Sequence, residues 1–480
     1  MKKFSIILIS FLIFTLVSVF SGCKMNNQNG LIVFNEDNLI NANYGGIGVE
    51  FDVYEHPEII REDKFELIYE RMDKLSPSLV RSMMNYTWFI QDFDDKGTED
   101  IEDDTWEYNW TNKNVLNMFE ILAYCDSKNI DVALGPWRSI DGVTNTTSDI
   151  RWAKVTARVF KEISDRGITS VKWFVPSNEP NYISGNNYQL WATGLKNVYN
   201  EFKALGIDTK FSILGTDVSS YSDALNWADQ LDSETVSILQ NYSVHLYVSD
   251  RTVDTGKLQG QVKDIVDAHK NKDTNFYDKG LIVWESGLID GRMDTIDSNE
   301  LIDTFNYGIR MVDYTIQTIL GGANGIVYWE LDDAAHFLSV GGNGTWGMFS
   351  SLGDAWQQEL RPWFHSSQLL TAIFSKGSKI YSGMNDEIEG FRMIAGVSKD
   401  GNKAGVVAVN RTDAAITKSI VFDDDLEGED LFVYIFSEKH LLLGEDGYII
   451  PNTVIKGNFN SVTEFEVPAG ASVFITNHRI

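Results

Sequence analysis

The stretch VKWFVPSNEP, residues 171–180, decides how the chain is read. Trp173, Phe174 and Val175 make an apolar wall, and the run then ends in Asn178, Glu179 and Pro180. A strand buried on both faces reads as a nearly continuous apolar run, so polar groups belong at its end, where the chain leaves the core. LIVWESG at 281–287 repeats the pattern and delivers Glu285.

Six further runs share this character: GIGVEF (46–51), SLVRSM (78–83), VALGPW (132–137), FSILGT (211–216), YSVHLY (242–247) and GIVYWE (325–330). Amphipathic stretches separate the runs. KFELIYERMDKL (64–75) sets Phe65, Ile68, Met72 and Leu75 on one face, and NVLNMFEILAYC (114–125) does the same with Val115, Met118, Phe119, Leu122 and Cys125. Others lie at 151–164, 187–204, 221–231, 259–270, 300–319 and 363–373. Eight strands alternating with eight helices predict an α/β fold, a parallel (β/α)8 barrel over 41–373. A doubly wound open sheet is the alternative, but its usual G-x-G-x-x-G after the first strand is missing. From 374 to 480 the pattern becomes short, closely spaced strands punctuated by Gly, Asp and Asn, which predicts an antiparallel β-sandwich. LIVFN (31–35) is a candidate extra strand for it. The acidic runs 92–104 and 423–430 read as solvated loops without calcium-loop spacing.

The chain has 480 residues and a net charge of −29. A surface of that sign repels phosphate backbones, so nucleic acid is an unsuitable partner and a neutral substrate is favoured. Lys2 and Lys3 precede an apolar segment (4–20), then Ser21, Gly22 and Cys23, which reads as a signal peptide over 1–22. Small residues before a cysteine resemble a bacterial lipobox, which implies lipid on Cys23, with 23–40 as tether and possible sandwich strand. An ordinary signal peptide cut nearby is the alternative. The only other cysteine, Cys125, sits on an apolar helical face and reads as core. The seven histidines carry no paired metal-ligand spacing, so neither metal nor cofactor is expected.

Barrel chemistry sits at the carboxyl ends of the strands, which brings Glu179 and Glu285 to one mouth. Two carboxylates facing one cavity are the minimum equipment for cutting a glycosidic bond. SNEP after the fourth strand, WESG after the seventh, YWE after the eighth, the Arg of LVRSM and HLY after the sixth together resemble clan A of the glycoside hydrolases. The appended sandwich is similar to that of families 30, 39 and some of family 5. The resemblance implies a retaining enzyme with Glu179 as acid/base and Glu285 as nucleophile. It further implies a cis peptide after Trp329. The acid needs a raised pKa, and the nucleophile needs cationic or hydrogen-bonding neighbours. Arg81 is the candidate charge, Tyr247 the candidate donor to Glu285, and Asn178 the candidate partner of a sugar 2-hydroxyl. His245 is either a site residue or a satisfied core histidine. Trp329 is the candidate stacking platform, and Trp137 a candidate cleft wall. Asp52, Asp332, Asp333 and His336 are weaker candidates for sugar hydroxyls, and Glu50 closes the first strand.

The expectation is therefore a lipid-anchored retaining β-glycosidase acting on carbohydrate outside the cytoplasm, with no cofactor. An endo-acting glycanase of the same clan is the runner-up. A non-catalytic glycan-binding lipoprotein is the rival from another class; a barrel acting on phosphorylated metabolites would want a basic phosphate site, and none is evident. The anchor has a direct test. Cys23→Ser should release the protein from membranes and leave the purified enzyme's activity intact, since lipid anchors and has no part in the chemistry. Unchanged membrane partitioning of the variant would rule out lipid at Cys23.

Overall fold

The computed structural model describes residues 31–51, 65–98, 101, 103–137, 140, 147–183, 185–293, 298–333, 344–350, 359–383, 388–423, 426, 428 and 430–480. The leader with Cys23, and also Asp52 and His336, lie outside the described residues. Eight strands close a parallel barrel: β1 (Ile47–Glu50), β2 (Leu79–Met84), β3 (Asp131–Pro136), β4 (Val171–Phe174), β5 (Ser212–Ser219), β6 (Leu239–Val248), β7 (Leu281–Leu288) and β8 (Gly325–Tyr328). They pair in chain order, and β8 returns to β1 through Val327 opposite Gly48. Helices such as Lys113–Lys128, Ile150–Asp165 and Phe305–Leu320 cover the outside. Cys125 is a buried free thiol on the first of these, as its apolar face predicts. Among the described residues no helix is long and apolar enough to cross a membrane.

Side chains fill the barrel's interior. Leu79, Ala133, Val175, Leu214, Ile282, Trp284 and Val327 form one buried cluster, with Trp173 set edge-on to Trp284 at 5.5 Å. Two register slips matter for what lies above this plug. Thr216 pairs with Ser243 and Val218 with Val244, so Asp217 is an extra residue in β5. Val283 pairs with Val244 and Glu285 with His245, so Trp284 is extra in β7. Successive strand residues normally face opposite sides. A bulge breaks that alternation and re-aims a side chain. Here it lets Trp284 enter the plug while its neighbour Glu285 also points inward to Arg81.

The C-terminal sandwich packs a seven-stranded sheet on a three-stranded one around Phe34, Tyr381, Met393, Phe422 and Phe465. The segment before the barrel supplies a strand to each sheet. Leu31–Phe34 lies beside Ile416–Phe422, and Leu39–Asn41 edges Lys379–Ser382. The first of these pairings is parallel, so the sandwich is not wholly antiparallel as expected. Its partner strand's other edge is already taken by Thr463–Val467. A second departure is the acidic run after β2. Ile90–Asp94 and Thr105–Tyr108 pair as antiparallel strands, and Phe93 stacks on Trp106 across them at 5.5 Å. That ring contact gives the pairing a reason that the acidic composition hides.

Barrel and sandwich share a buried ion cluster. Arg392 donates to both oxygens of Asp313, each at 2.9 Å, and Arg411 approaches the same carboxylate at 3.3 Å. Asp313 lies on helix Phe305–Leu320 and is fully buried, while both arginines belong to the sandwich. Removing one partner of a buried pair strands the other's charge, at a cost of about 3–5 kcal/mol. Asp313→Ala should therefore lower the denaturant midpoint by an amount of that order. Adding Arg392→Met should recover part of the loss; a double variant no more stable than the single one would contradict the buried-pair account.

Candidate active site

The carboxyl ends of the strands carry an unusually dense set of charges. Arg81, on β2 and fully buried, donates through Nη1 to Glu285 Oε1 at 2.5 Å and through Nη2 to Asn178 Oδ1 at 2.5 Å. It also lies 3.4 Å from Asp217 Oδ2 and 3.5 Å from Glu50 Oε2. Tyr247 donates its hydroxyl to Glu285 Oε2 at 2.7 Å. His245 is fully buried between three carboxylates: Nδ1 is 3.1 Å from Glu179 Oε1 and 3.4 Å from Glu285 Oε2, and Nε2 is 3.2 Å from Asp217 Oδ1. One carboxylate oxygen of Glu179 and one of Glu285 lie within 4.8 Å of each other.

Local backbone makes this convergence possible. Glu179 has φ +44° and Asp217 φ +61°, left-handed conformations that non-glycine residues adopt at a cost of order 1–3 kcal/mol. Both stand where the chain turns to aim a carboxylate at His245. Pro180 then opens the short helix Pro180–Ile183, a position that suits its fixed φ and missing N–H. The peptide between Trp329 and Glu330 is cis, as the family resemblance implies, and so is the one between Gly215 and Thr216.

Charge crowding sets the ionisation. Burial opposes the charge on Arg81, but Glu285 and then Glu50 hold it protonated. Burial likewise opposes a charge on His245, yet Glu285 and Asp217 push its pKa up to about 10. Glu285 is pushed up by burial, against the pull of His245 and Arg81. Burial also works against an ionised Glu179, but the hydrogen bond and charge of His245 prevail and hold it below the usual range. Asp217 is held low in the same way. The directions for Glu179 and Glu285 are the reverse of those expected for an acid and a nucleophile. The reason is the deeper burial of Glu285, together with the hydrogen bond between His245 Nδ1 and Glu179, which outweighs the burial of Glu179. Glu179, His245 and Glu285 are also the grouping among the described residues whose donor atoms are close enough to hold a metal ion. An ion there would replace the hydrogen bond between His245 Nδ1 and Glu179 Oε1, which stand 3.1 Å apart.

Above these groups lies a cavity of about 720 Å³. Trp329 and Trp137 stand edge-to-face on one side, 6.1 Å apart at 89°. Every sequence-predicted residue of the set Arg81, Trp137, Asn178, Glu179, His245, Tyr247, Glu285 and Trp329 lies in the cavity wall or in the charge network below it. Asp333 does not: Arg361 grips both its oxygens, at 2.7 and 2.8 Å, so it is committed to an ion pair. Asp332 is buried beside it. Sequence reading missed Asp217, although an Asp inside the run SILGTDVS was a signal, because a carboxylate in a buried strand needs a partner. It also missed Trp346, which packs edge-on to Tyr247 at 5.8 Å from a loop whose return to the mouth nothing local announces. Tyr182, Ser219, Ser220, Ile289 and Arg292 complete the missed wall.

The chain matches no protein-family model and no curated protein. Solved structures share its architecture at low identity. A family 30 endoxylanase from Clostridium papyrosolvens C71 aligns over 93% of this chain and 99% of its own, with 13% identity and a TM-score of 0.61. A monomeric β-xylosidase from Caulobacter crescentus CB15 aligns over 93% and 99%, with 12% identity and a TM-score of 0.63. An α-L-arabinofuranosidase from Thermotoga maritima aligns over 94% and 100%, with 13% identity and a TM-score of 0.60. The expected fold, a closed parallel barrel with an appended β-sandwich, is thus the observed one, and these solved structures share it.

The His245 charge has a consequence for stability. Its folded pKa, about 10, lies above the ordinary histidine value of about 6.5. The stability it contributes is complete below pH of about 6.5 and is lost as the pH rises through about 10. Denaturant midpoints measured from pH 6 to 11 should fall across that window, and His245→Gln should flatten the fall. Parallel profiles for the two proteins would mean that His245 is neutral.

Proposed function

We propose that the protein is a retaining glycoside hydrolase that cleaves β-glycosidic bonds in oligo- or polysaccharides by double displacement. The observation that carries this reading is the approach of Glu179 and Glu285, with carboxylate oxygens within 4.8 Å at the base of a cavity walled by three indoles. Retaining enzymes hold their two carboxyl groups about 5–5.5 Å apart, whereas inverting ones leave about 6.5–9.5 Å for a water. Glu285, fixed by Arg81 and Tyr247, is placed as the nucleophile that attacks the anomeric carbon. Glu179, half-buried and on the cavity side, is placed to protonate the leaving oxygen and later to activate water. Asn178, tied by its oxygen to Arg81, turns its amide nitrogen to a sugar hydroxyl, and Trp329 offers an indole face. Lipid on Cys23 would hold this enzyme at a membrane outside the cytoplasm.

Aryl β-glycosides that the wild type turns over separate the two roles. Glu179→Ala should slow unactivated substrates by about 10²–10⁴ and spare glycosylation by a dinitrophenyl glycoside, which needs no acid. Glu285→Gly should abolish turnover of every substrate. With azide, Glu179→Ala should yield the β-glycosyl azide and Glu285→Gly the α-anomer. Exchanged anomers would reverse the assignments, and full activity in both variants would remove the site from catalysis.

A further inference from the structure

The reversed directions at the two glutamates pose a question. If Glu179 is the acid of the proposed hydrolase, its proton must come from somewhere in a site that holds it ionised. His245 has a carboxylate at each ring nitrogen, 3.1 Å away at Nδ1 and 3.2 Å away at Nε2. A neutral imidazole has one donor and one acceptor nitrogen. One of its nitrogens would then point a lone pair at a carboxylate, unless that carboxylate is itself protonated. The geometry therefore requires one proton in the contact between His245 and Glu179, on one side or the other. Asp217 decides which side. Its carboxylate is fully buried, set in place by the bulge in β5, and reaches Nε2 with Oδ1 and Arg81 with Oδ2.

Resting on the hydrolase reading, we propose that Asp217 is a positioning residue that keeps His245 cationic between the glutamates and so makes His245 the store for the proton that Glu179 delivers. The groups around His245 come from several elements: Glu179 after β4, Asp217 on β5, Tyr247 on β6 and Glu285 on β7, with Arg81 and Glu50 across the network. A neutral sugar entering the cavity displaces water from Glu179 and disfavours its charge. The Nδ1–H bond of His245 then breaks as an Oε1–H bond forms on Glu179, and the Nε2–H bond stays intact in its ion contact with Asp217 Oδ1, 3.2 Å away. Next, the Glu179 proton passes to the leaving oxygen, which also receives the electron pair of the broken glycosidic bond, while Glu285 forms its bond to the anomeric carbon. In the second half a water oxygen displaces Glu285. The water's proton goes to Glu179 and back to Nδ1, which restores the starting state with no other reactant. Asp217 thus fixes both the charge of the ring and which of its nitrogens surrenders the proton.

The test uses the full chain with ¹⁵N-labelled histidine, with His245→Gln identifying the resonance. At pH 8 both ring nitrogens of His245 should show imidazolium shifts in the wild type and neutral-ring shifts in Asp217→Asn. Kinetically, Asp217→Asn should move the alkaline limb of kcat/KM down by at least about one pH unit. It should lower kcat on unactivated aryl β-glycosides by about tenfold to a hundredfold, with dinitrophenyl glycosides and KM little changed, and Asp217→Glu should restore part of the loss. A general loosening of the site would instead lower both substrate classes alike and leave the pH profile in place, which overturns the proposal. A neutral His245 in the wild type at pH 8 overturns it too, even should Asp217→Asn not fold, and leaves the hydrolase reading standing. Full activity of Glu285→Gly beside a cationic His245 would instead sink the hydrolase reading, and the use of the stored proton with it.

Discussion

Arg81 is the constraint around which the upper barrel is arranged. One fully buried guanidinium meets Glu50 from β1, Asn178 beyond β4, Asp217 from β5 and Glu285 from β7. A charge removed from water survives only when opposite charges and hydrogen bonds close around it, and losing one partner costs about 3–5 kcal/mol. The strands that bring these partners must therefore end at matching heights, and the barrel's closure guarantees that they do. His245 repeats the arrangement on the other side of Asp217 and Glu285, so that two cations and four carboxylates make one network. The apolar plug below, built on Trp173 and Trp284, keeps water from the network's underside.

Much of this was legible in the sequence, for reasons that can be named. Buried parallel strands need continuous apolar runs, and each of the eight runs became a barrel strand within a few residues of its expected limits. The polar residues closing those runs gathered at one mouth because a parallel barrel leaves them no alternative. What stayed hidden was register. The extra residues Asp217 and Trp284 look like ordinary members of their strands, and only pairing with β6 shows the slip. Reading β5 as ending at Thr216 left Asp217 outside, and with it the reason for the charge on His245. Ionisation was hidden too, since pKa direction depends on distances of a few ångströms between groups far apart in the chain. The pairing of Ile90–Asp94 with Thr105–Tyr108 was hidden by acidic residues on its solvent side, while Phe93 and Trp106 stack across it.

The sandwich is tied to the barrel by polar as well as apolar contact. Arg392 and Arg411 reach across to Asp313 and Asp254, and Phe436 packs on Phe305. An interface that buries a charge cluster tolerates little sliding, because each displaced partner leaves a charge unmatched. The appended sheets thus stiffen helix Phe305–Leu320, which stands between β7 and β8 and donates Tyr314 to the Leu246 carbonyl of β6, one residue from both His245 and Tyr247.

The strand Leu31–Phe34 has a further meaning in time. Its neighbour, Ile416–Phe422, is made only after the whole barrel has been synthesised. Ile32 and Phe34, buried in the finished sandwich, lack that strand partner until then. Contacts of such long sequence separation form late, after the loop between them has been shortened by local folding. The barrel, whose neighbouring strands follow one another along the chain, is the natural first product. Segments 31–34 and 416–422 then meet late in assembly, and a chain cut short before residue 416 would leave Leu31–Phe34 as a sticky, unpaired edge.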